Sequence, residues 1–233
     1  KDDMASMEYP IFSLATKPDV RDIHYQFGDS NIYIRPSSHG LPTIFDKDIL
    51  LYLGSILMGQ INKGEIPSKT LRFSVHDLMV TVNRKVGGRA YKQIKDAFNR
   101  LASVYIETNI KTNKHQIHKG FGVLDSWHIV KGHKDKDRMV EVEATVSDWF
   151  YNSFIGKEVL TIHRDYFRLR KPLERRLYEI ARKYCGNQKR WKISLSALHQ
   201  KTGALSPEKN FRFSIREICK THDLINYAIM LDG

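Results

Sequence analysis

"LRFSVHDLMVTVNRKVGGRAYKQIKDAFNRLASVYIETNI" spans residues 71–110, and its punctuation decides the fold. A short extended run meets Ser74, whose hydroxyl can cap a helix, and Asp77 falls in the first turn that would follow. Val86-Gly87-Gly88 breaks that helix. Beyond the break, Tyr91, Ile94, Ala97, Phe98 and Leu101 recur at intervals of three and four, the spacing of an amphipathic helix, and 104–110 reads as a strand. Upstream, Ile49, Leu50, Leu53, Ile56 and Leu57 predict another helix over 46–61, with Asp46 as its N-cap. Downstream, "KTNKHQIHK" (111–119) reads as a basic loop and "GFGVLDSWHIV" (120–130) as a return strand. Three helices, a strand, a loop and a strand make the order of a winged helix-turn-helix. The third helix is then the recognition helix and loop 111–119 the wing.

The second half repeats this order. "WKISLSAL" (191–198) matches "LRFSVHDL" (71–78), with Phe73 and Ile193, Ser74 and Ser194, and Leu78 and Leu198 each 120 residues apart. Tyr91 and Phe211 keep that offset, Tyr105 and Tyr227 are 122 apart, and "LLYLGSIL" matches "RLYEIARK" more loosely at 126. The expectation is an α+β protein of two tandem winged helix-turn-helix domains related by internal duplication. Residues 1–6 read as a loose tail or cloning remnant, 7–137 as the first domain, and 138–233 as a linking strand and helix plus the second domain. That second copy stops where its wing should begin, so the natural chain is expected to extend past Gly233.

Thirty-eight Lys and Arg against 26 Asp and Glu give a net charge of +12, which favours a polyanionic partner. The outward face of the first recognition helix would carry Arg89, Lys92, Lys95, Asn99 and Arg100, preceded by Arg84 and Lys85. Lys209, Asn210, Arg212, Arg216 and Lys220 form the matching stripe in the second, opposite Phe211, Ile215 and Ile218. An apolar face to seat the helix and Arg, Lys and Asn to reach phosphates and base edges are what groove insertion requires. Lys111 and Lys114 in the expected wing add phosphate contacts. Stretch 164–192 holds 11 Lys and Arg against 3 Asp and Glu, so Arg175 and Arg176 are candidates too. The alternative for those two is pairing with Glu174 or Glu179 along their own helix.

Other chemistries find little support. Cys185 and Cys219 form no CxxC motif, and HxxH at His115 and His118 lacks further ligands nearby, so no metal site is expected. There is no GxxxxGK[ST] and no Gly-x-Ser-x-Gly, hence no expected cofactor and no expected enzymatic activity. The longest apolar run, 49–58, is too short to span a bilayer, and a cytoplasmic protein without a membrane partner is expected.

"GLPTIFDKDILLYLGSIL", "GFGVLDSWHIV" and above all "LTIHRDYFRLRKPLERRLYEIARKYCG" resemble the bacterial and plasmid replication initiator protein A family, a likeness running from residue 7 almost to the end. The resemblance implies a nucleoid- or plasmid-associated protein that binds repeated sites (iterons) in double-stranded origin DNA and helps open the duplex. It also implies host initiation proteins (initiator and helicase) as partners, a homodimer, and repression of its own gene. DNA contacts would come from the third helix of each copy. A winged-helix transcriptional repressor and a rolling-circle nicking nuclease or relaxase are the alternatives.

Overall fold

The computed structural model describes residues 1–109, 111–112, 115–116, 119–131, 139–221 and 224–232. Strand β1 (Asp2–Asp3) leads into helix α1 (Met4–Glu8), and a hairpin follows, β2 (Ile23–Phe27) and β3 (Ser30–Arg35). Helix α2 (Lys47–Asn62), strand β4 (Thr70–Ser74) and helices α3 (Val75–Thr81) and α4 (Gly88–Ser103) come next. Then follow β5 (Tyr105–Thr108), β6 (Lys111–Thr112), β7 (His115–Gln116), β8 (Lys119–Phe121), β9 (Leu124–Lys131) and β10 (Met139–Val146). The remainder is α5 (Asp148–Ile155), β11 (Val159–Leu160), a 3-10 turn at Arg164–Arg168, α6 (Pro172–Tyr184), α7 (Leu195–Thr202) and α8 (Glu208–Thr221).

Local chemistry sets these boundaries. The Ser74, Ser147 and Ser194 hydroxyls accept from the amides of Asp77, Phe150 and Ala197 and so start α3, α5 and α7. Pro172 stands in the first turn of α6, where its missing N–H costs nothing. Gly203 ends α7 at φ 69°, and a Cβ there would lie 2.6 Å from Pro10 Cβ and 2.9 Å from Tyr25 Oη. No other residue fits that turn, which rests on the N-terminal segment.

Two larger sheets, two short two-stranded ones and two apolar cores are seen among the described residues. Strands β4, β10 and β9 form one antiparallel sheet in that order, and β2, β3, β5 and β8 form another. Between them Ile32, Ile34, Ile49, Leu53, Leu57, Phe73, Leu78, Phe98, Val142 and Phe154 form the larger core. Leu177, Tyr178, Ile180, Leu198, Phe211 and Ile215 form the smaller one around α6, α7 and α8, and Leu51 of α2 belongs to it. Helix α2 is thus a wall of both cores.

Three sequence expectations change. The run 120–130 is two strands, because the chain changes sheets at Gly122–Val123: β8 pairs with β5, whereas β9 pairs with β10. A Cβ on Gly122 would sit 2.9 Å from the Leu124 carbonyl, so glycine permits the crossing. Strands β6 and β7 pair with each other between β5 and β8, and the strand pair that returns to β4 is β9–β10. Second, the boundary at 137/138 moves: β10 and α5 contribute Val142, Ala144, Val146, Trp149, Phe150 and Phe154 to the larger core, so the first unit runs through α5. Third, residues 1–6 are built in. Strand β1 pairs with β11, Asp3 caps α1, and Asp2 is 2 % exposed.

The 120-residue spacing recurs in the helix starts. Helices α3 and α7 start at 75 and 195, and α4 and α8 at 88 and 208, the offset read from the sequence. Among the described residues no strand lies between α6 and α7 or follows α8, so the three-stranded sheet has no counterpart in the second unit.

Charged groups join the halves. The Lys47 ammonium lies 2.8 Å from Asp2 and 3.1 Å from Glu179 of α6, with all three side chains buried. Asp48 receives Arg175 at 2.5 Å and Arg84 at 3.0 Å. Arg175 also donates to the Leu169 carbonyl, and its guanidinium lies over the rings of Phe45 and Tyr166. Arg176 donates to Glu179 and to the carbonyls of Ser6, Met7, Glu8 and Lys201, spending its fork on three segments of chain. Tyr166 Oη donates to the other oxygen of Glu179 at 2.6 Å. Removing one member strands its partner in a dry interior, so Asp48→Ala is expected to lower unfolding free energy by about 3–5 kcal/mol in urea titrations. A loss below about 1 kcal/mol would show the site to be wet.

The same network predicts a pH dependence. Burial pushes the Asp2 carboxyl from 3.8 up to about 7, against the pull of Lys47. A carboxyl with a raised folded pKa stabilises the fold fully below its unfolded value and loses that contribution as pH rises through its folded value. Asp2→Asn should therefore gain stability relative to the native chain between about pH 4 and pH 8. Urea midpoints of both proteins across that range check the sign; a difference independent of pH would refute it.

Candidate nucleic-acid interface

Helix α4 is seated by Ile94, Ala97, Phe98 and Leu101, each at most 1 % exposed, and this fixes which side chains face out. Lys85, Arg89, Lys92 and Lys95 are exposed, and among the described residues they form no salt bridge. Asn99 is half-buried on the same face. Helix α8 is seated in the same way by Phe211, Ile215 and Ile218. Its outer face carries Lys209, Asn210, Arg212, Arg216 and Lys220, all exposed. Arg212 reaches Glu208 at 3.5 Å and Lys220 reaches Glu217 at 2.7 Å, exposed pairs that a stronger anion displaces at little cost.

Each of these helices stands behind a shorter one. Helix α3 leads to α4 through residues 82–87, with Asn83 in the left-handed region at φ 53°. Helix α7 leads to α8 through the Gly203 turn, where the His199 ring meets Phe211 at 4.7 Å and His199 Nε2 lies 2.8 Å from the Ser206 carbonyl oxygen. The two units therefore present one helix each on a fixed mount.

Not every predicted cation belongs to this surface. Arg175 and Arg176 are 1 % and 2 % exposed and hold Asp48, Glu179 and main-chain carbonyls, so their assignment to DNA is corrected: no phosphate can reach them. Arg84 donates to the Phe45 carbonyl and to Asp48, which anchors the turn before α4. Arg100 makes a two-pronged pair with Asp46 at 2.7 and 2.8 Å. Asp46 itself is helical and caps nothing on α2; besides Arg100 it accepts the Thr43 amide. Burial raises the Asp48 carboxyl's pKa, and Arg175 and Arg84 oppose that shift. Lys111 lies in β6, away from the β9–β10 hairpin, and Lys114 lies outside the described residues, as does 132–138.

An open groove of about 940 Å³ runs beside the start of α4, between residues 15–18, the head of α2 and the turn 82–90. Arg84, Arg100 and Arg175 line it but are already balanced by Asp46 and Asp48. The cations left over are Lys17, Lys85, Arg89 and Arg170, all exposed, against a half-buried Asp96. Arg170 comes from the segment leading into α6 and lies 3.5 Å from the Asn83 carbonyl, so the second unit contributes to the groove. The sequence reading missed Lys17, Arg170 and the 64 % exposed Phe213 on the outer face of α8. Phe213 leaves a signal in hindsight, as an aromatic out of phase with Phe211, Ile215 and Ile218. Among the described residues no group of three or more His, Cys, Asp and Glu is placed to hold a metal ion. No described helix is long and apolar enough to cross a membrane.

Comparisons with known proteins place this geometry. The model of the family described as "Replication initiator protein A" matches residues 1–229. A protein of Wigglesworthia glossinidia brevipalpis named "Putative replication protein" is 39 % identical over 231 residues, covering 98 % of this chain and 84 % of that one. Among solved structures, domains 2 and 3 of RctB superpose with a TM-score of 0.68 at 14 % identity, over 94 % of this chain and 85 % of that one. A second structure of RctB domains 2–3 gives 0.60 at 16 % identity, over 93 % and 82 %. At such identity these two establish a shared mixed α/β fold.

The separation of buried from exposed cations has a measurable consequence. If exposed cations meet phosphates, Lys92→Ala and Arg216→Ala should each weaken duplex binding and flatten the slope of log K against log salt by about 0.9. Arg175→Ala should leave the slope of the folded fraction unchanged. Fluorescence anisotropy over a salt series reads both, and a slope indifferent to Lys92 and Arg216 would remove them from the interface.

Proposed function

The chain belongs to the replication initiator protein A family, and from that premise we propose that it is a sequence-specific double-stranded DNA-binding initiator that recognises repeated origin sites and helps open the origin. One observation carries the proposal: α4 and α8, which start 120 residues apart, each turn a cationic face outward and an apolar face inward. A helix mounted this way behind a shorter helix is a reader of the major groove. In the first unit, the order α2, β4, α3, α4, β9, β10 with sheet order β4-β10-β9 supports a winged helix-turn-helix whose wing is the β9–β10 hairpin. The second unit is then a helix-turn-helix on the same plan.

On this reading the protein acts by binding and not by catalysis. Its surplus charge speeds encounter with DNA, and specificity comes from a few side chains on the two helices. Association with the nucleoid or a plasmid in the cytoplasm follows, as do host initiator and helicase as partners, a homodimer, and repression of its own gene when the repeats overlap the promoter.

The test is footprinting and anisotropy on a duplex carrying the repeats near its own gene, against scrambled duplex. A preference of about a thousandfold or more supports site reading. Arg212→Ala should cost about 1–3 kcal/mol on the specific duplex and much less on the scrambled one. Equal affinity for both duplexes would overturn sequence-specific recognition, and metal-dependent nicking of supercoiled origin DNA abolished by a single Tyr→Phe change would overturn the non-enzymatic reading. Permanganate reactivity of thymines beside the repeats, appearing with the protein, reports opening.

A further inference from the structure

Phe213 sits where the fold has no use for it. It is 64 % exposed, while Phe211 is 1 % and Ile215 1 % exposed on the opposite side of α8, and among the described residues it stacks on no ring. At about 100° per residue it lies within about 60° of Lys209, Arg216 and Lys220 around the helix. These three cations are exposed, so the phenyl ring stands in the middle of the charged face. An apolar ring there gains nothing from solvent and nothing from phosphates. The major groove offers one apolar group, the C5-methyl of thymine.

We propose that Phe213 packs on the C5-methyl group of a thymine, making it a specificity-determining residue of α8 and placing a T·A pair in the half-site that α8 reads. The inference rests on the reading of α8 as a groove-inserted helix. The 120-residue offset sharpens it. The equivalent position in α4 is Gln93, also exposed, whose amide can pair with adenine N6 and N7. The neighbouring equivalents keep their charge, Arg89 with Lys209 and Lys92 with Arg212. Further along, Arg216 is matched by Asp96 and the buried Ile215 by the exposed Lys95, so the two outer faces differ in charge as well as at the apolar-for-amide position. The two half-sites should therefore differ in sequence, with methyl dependence confined to one.

The experiment starts from a duplex selected by the native chain out of a randomised pool. Each thymine is then replaced in turn by deoxyuridine, which removes the methyl and keeps the pairing. For the native chain, replacement at one or two positions in one half-site should weaken binding about fourfold, the worth of one buried methyl group. Phe213→Ala should bind the unmodified duplex less tightly and be indifferent to deoxyuridine at those positions, while Gln93→Ala should keep the deoxyuridine effect. Phe213→Ala, altering an exposed side chain, is expected to melt with the native chain, and Phe213→Leu should recover part of the methyl dependence. Deoxyuridine effects that persist in full in Phe213→Ala overturn the inference, as does a loss equal on selected and random duplex. If selection yields no preferred duplex, the reading of α8 as a site-reading helix fails first, and that failure is distinct from these.

Discussion

The ion network around Asp46, Lys47 and Asp48 at the head of α2 is the constraint on which the structure depends. Three consecutive charged residues begin a helix that walls both apolar cores, and each is committed to a different part of the chain. Asp46 holds Arg100 at the end of α4, Lys47 holds Asp2 and Glu179, and Asp48 holds Arg175 and Arg84. Burying such charges is expensive unless every one is answered, and here the answers come from the N-terminus, the turn before α4 and helix α6. A slip of α6 by one residue would leave Asp48, Lys47 and Glu179 facing the wrong partners in a low dielectric. The docking of the two units is therefore specified by register as well as by apolar area.

This has a direct effect on the outer surface. Arg84 and Arg100 bracket α4 and tie both its ends to the head of α2. On the other side Arg176 ties α6 to the Lys201 carbonyl at the end of α7, and the Gly203 turn against Pro10 sets the approach to α8. Ion pairs, hydrogen bonds to main-chain carbonyls, the Arg175–Tyr166 ring contact and the packed Gly203 turn thus link the mounts of the two exposed helices. Two helices on a common mount offer a duplex one fixed spacing, whereas two on a flexible linker would offer many. Rigidity of this kind lowers the entropy lost on binding and restricts which repeats can be engaged at once.

Much of the fold could be read in the sequence because it rests on local rules. The serine caps at 74 and 194 and the apolar spacing of α4 and α8 act within a few residues of themselves and appear where the pattern places them, whereas α3 ends at Thr81, before the expected glycine break, and Gly88 begins α4. What stayed hidden depends on distant partners. The switch between sheets at Gly122 looks like one continuous strand until β10 is known to return to β4. Asp46 fits an N-cap by position and becomes a partner for Arg100, 54 residues away. Residues 1–6 lack apolar periodicity, so nothing in them foretells that Asp2 pairs with a buried lysine.

The cations around α6 show why composition misleads at this point. Stretch 164–192 has the strongest local surplus of positive charge, and electrostatics alone would send it to DNA. Yet its two central arginines are among the largest fully buried side chains in the molecule. Asp48 and the carbonyls of residues 6–8 answer those two from elsewhere in the chain, while Arg164, Arg168 and Arg170 stay exposed. The block "YFRLRKPLERRLYEIARK", which carries the family resemblance most strongly, is thus largely a docking surface. Buried charges demand specific partners in specific places, so such a block is distinctive for a physical reason unrelated to reading bases. On the function proposed above, the positions that choose a DNA site lie instead on α4 and α8, where exposure leaves the side chain free to vary without disturbing the fold. That separation lets one scaffold keep its docking chemistry while the exposed faces of α4 and α8 differ, as Gln93 and Phe213 already do within this single chain.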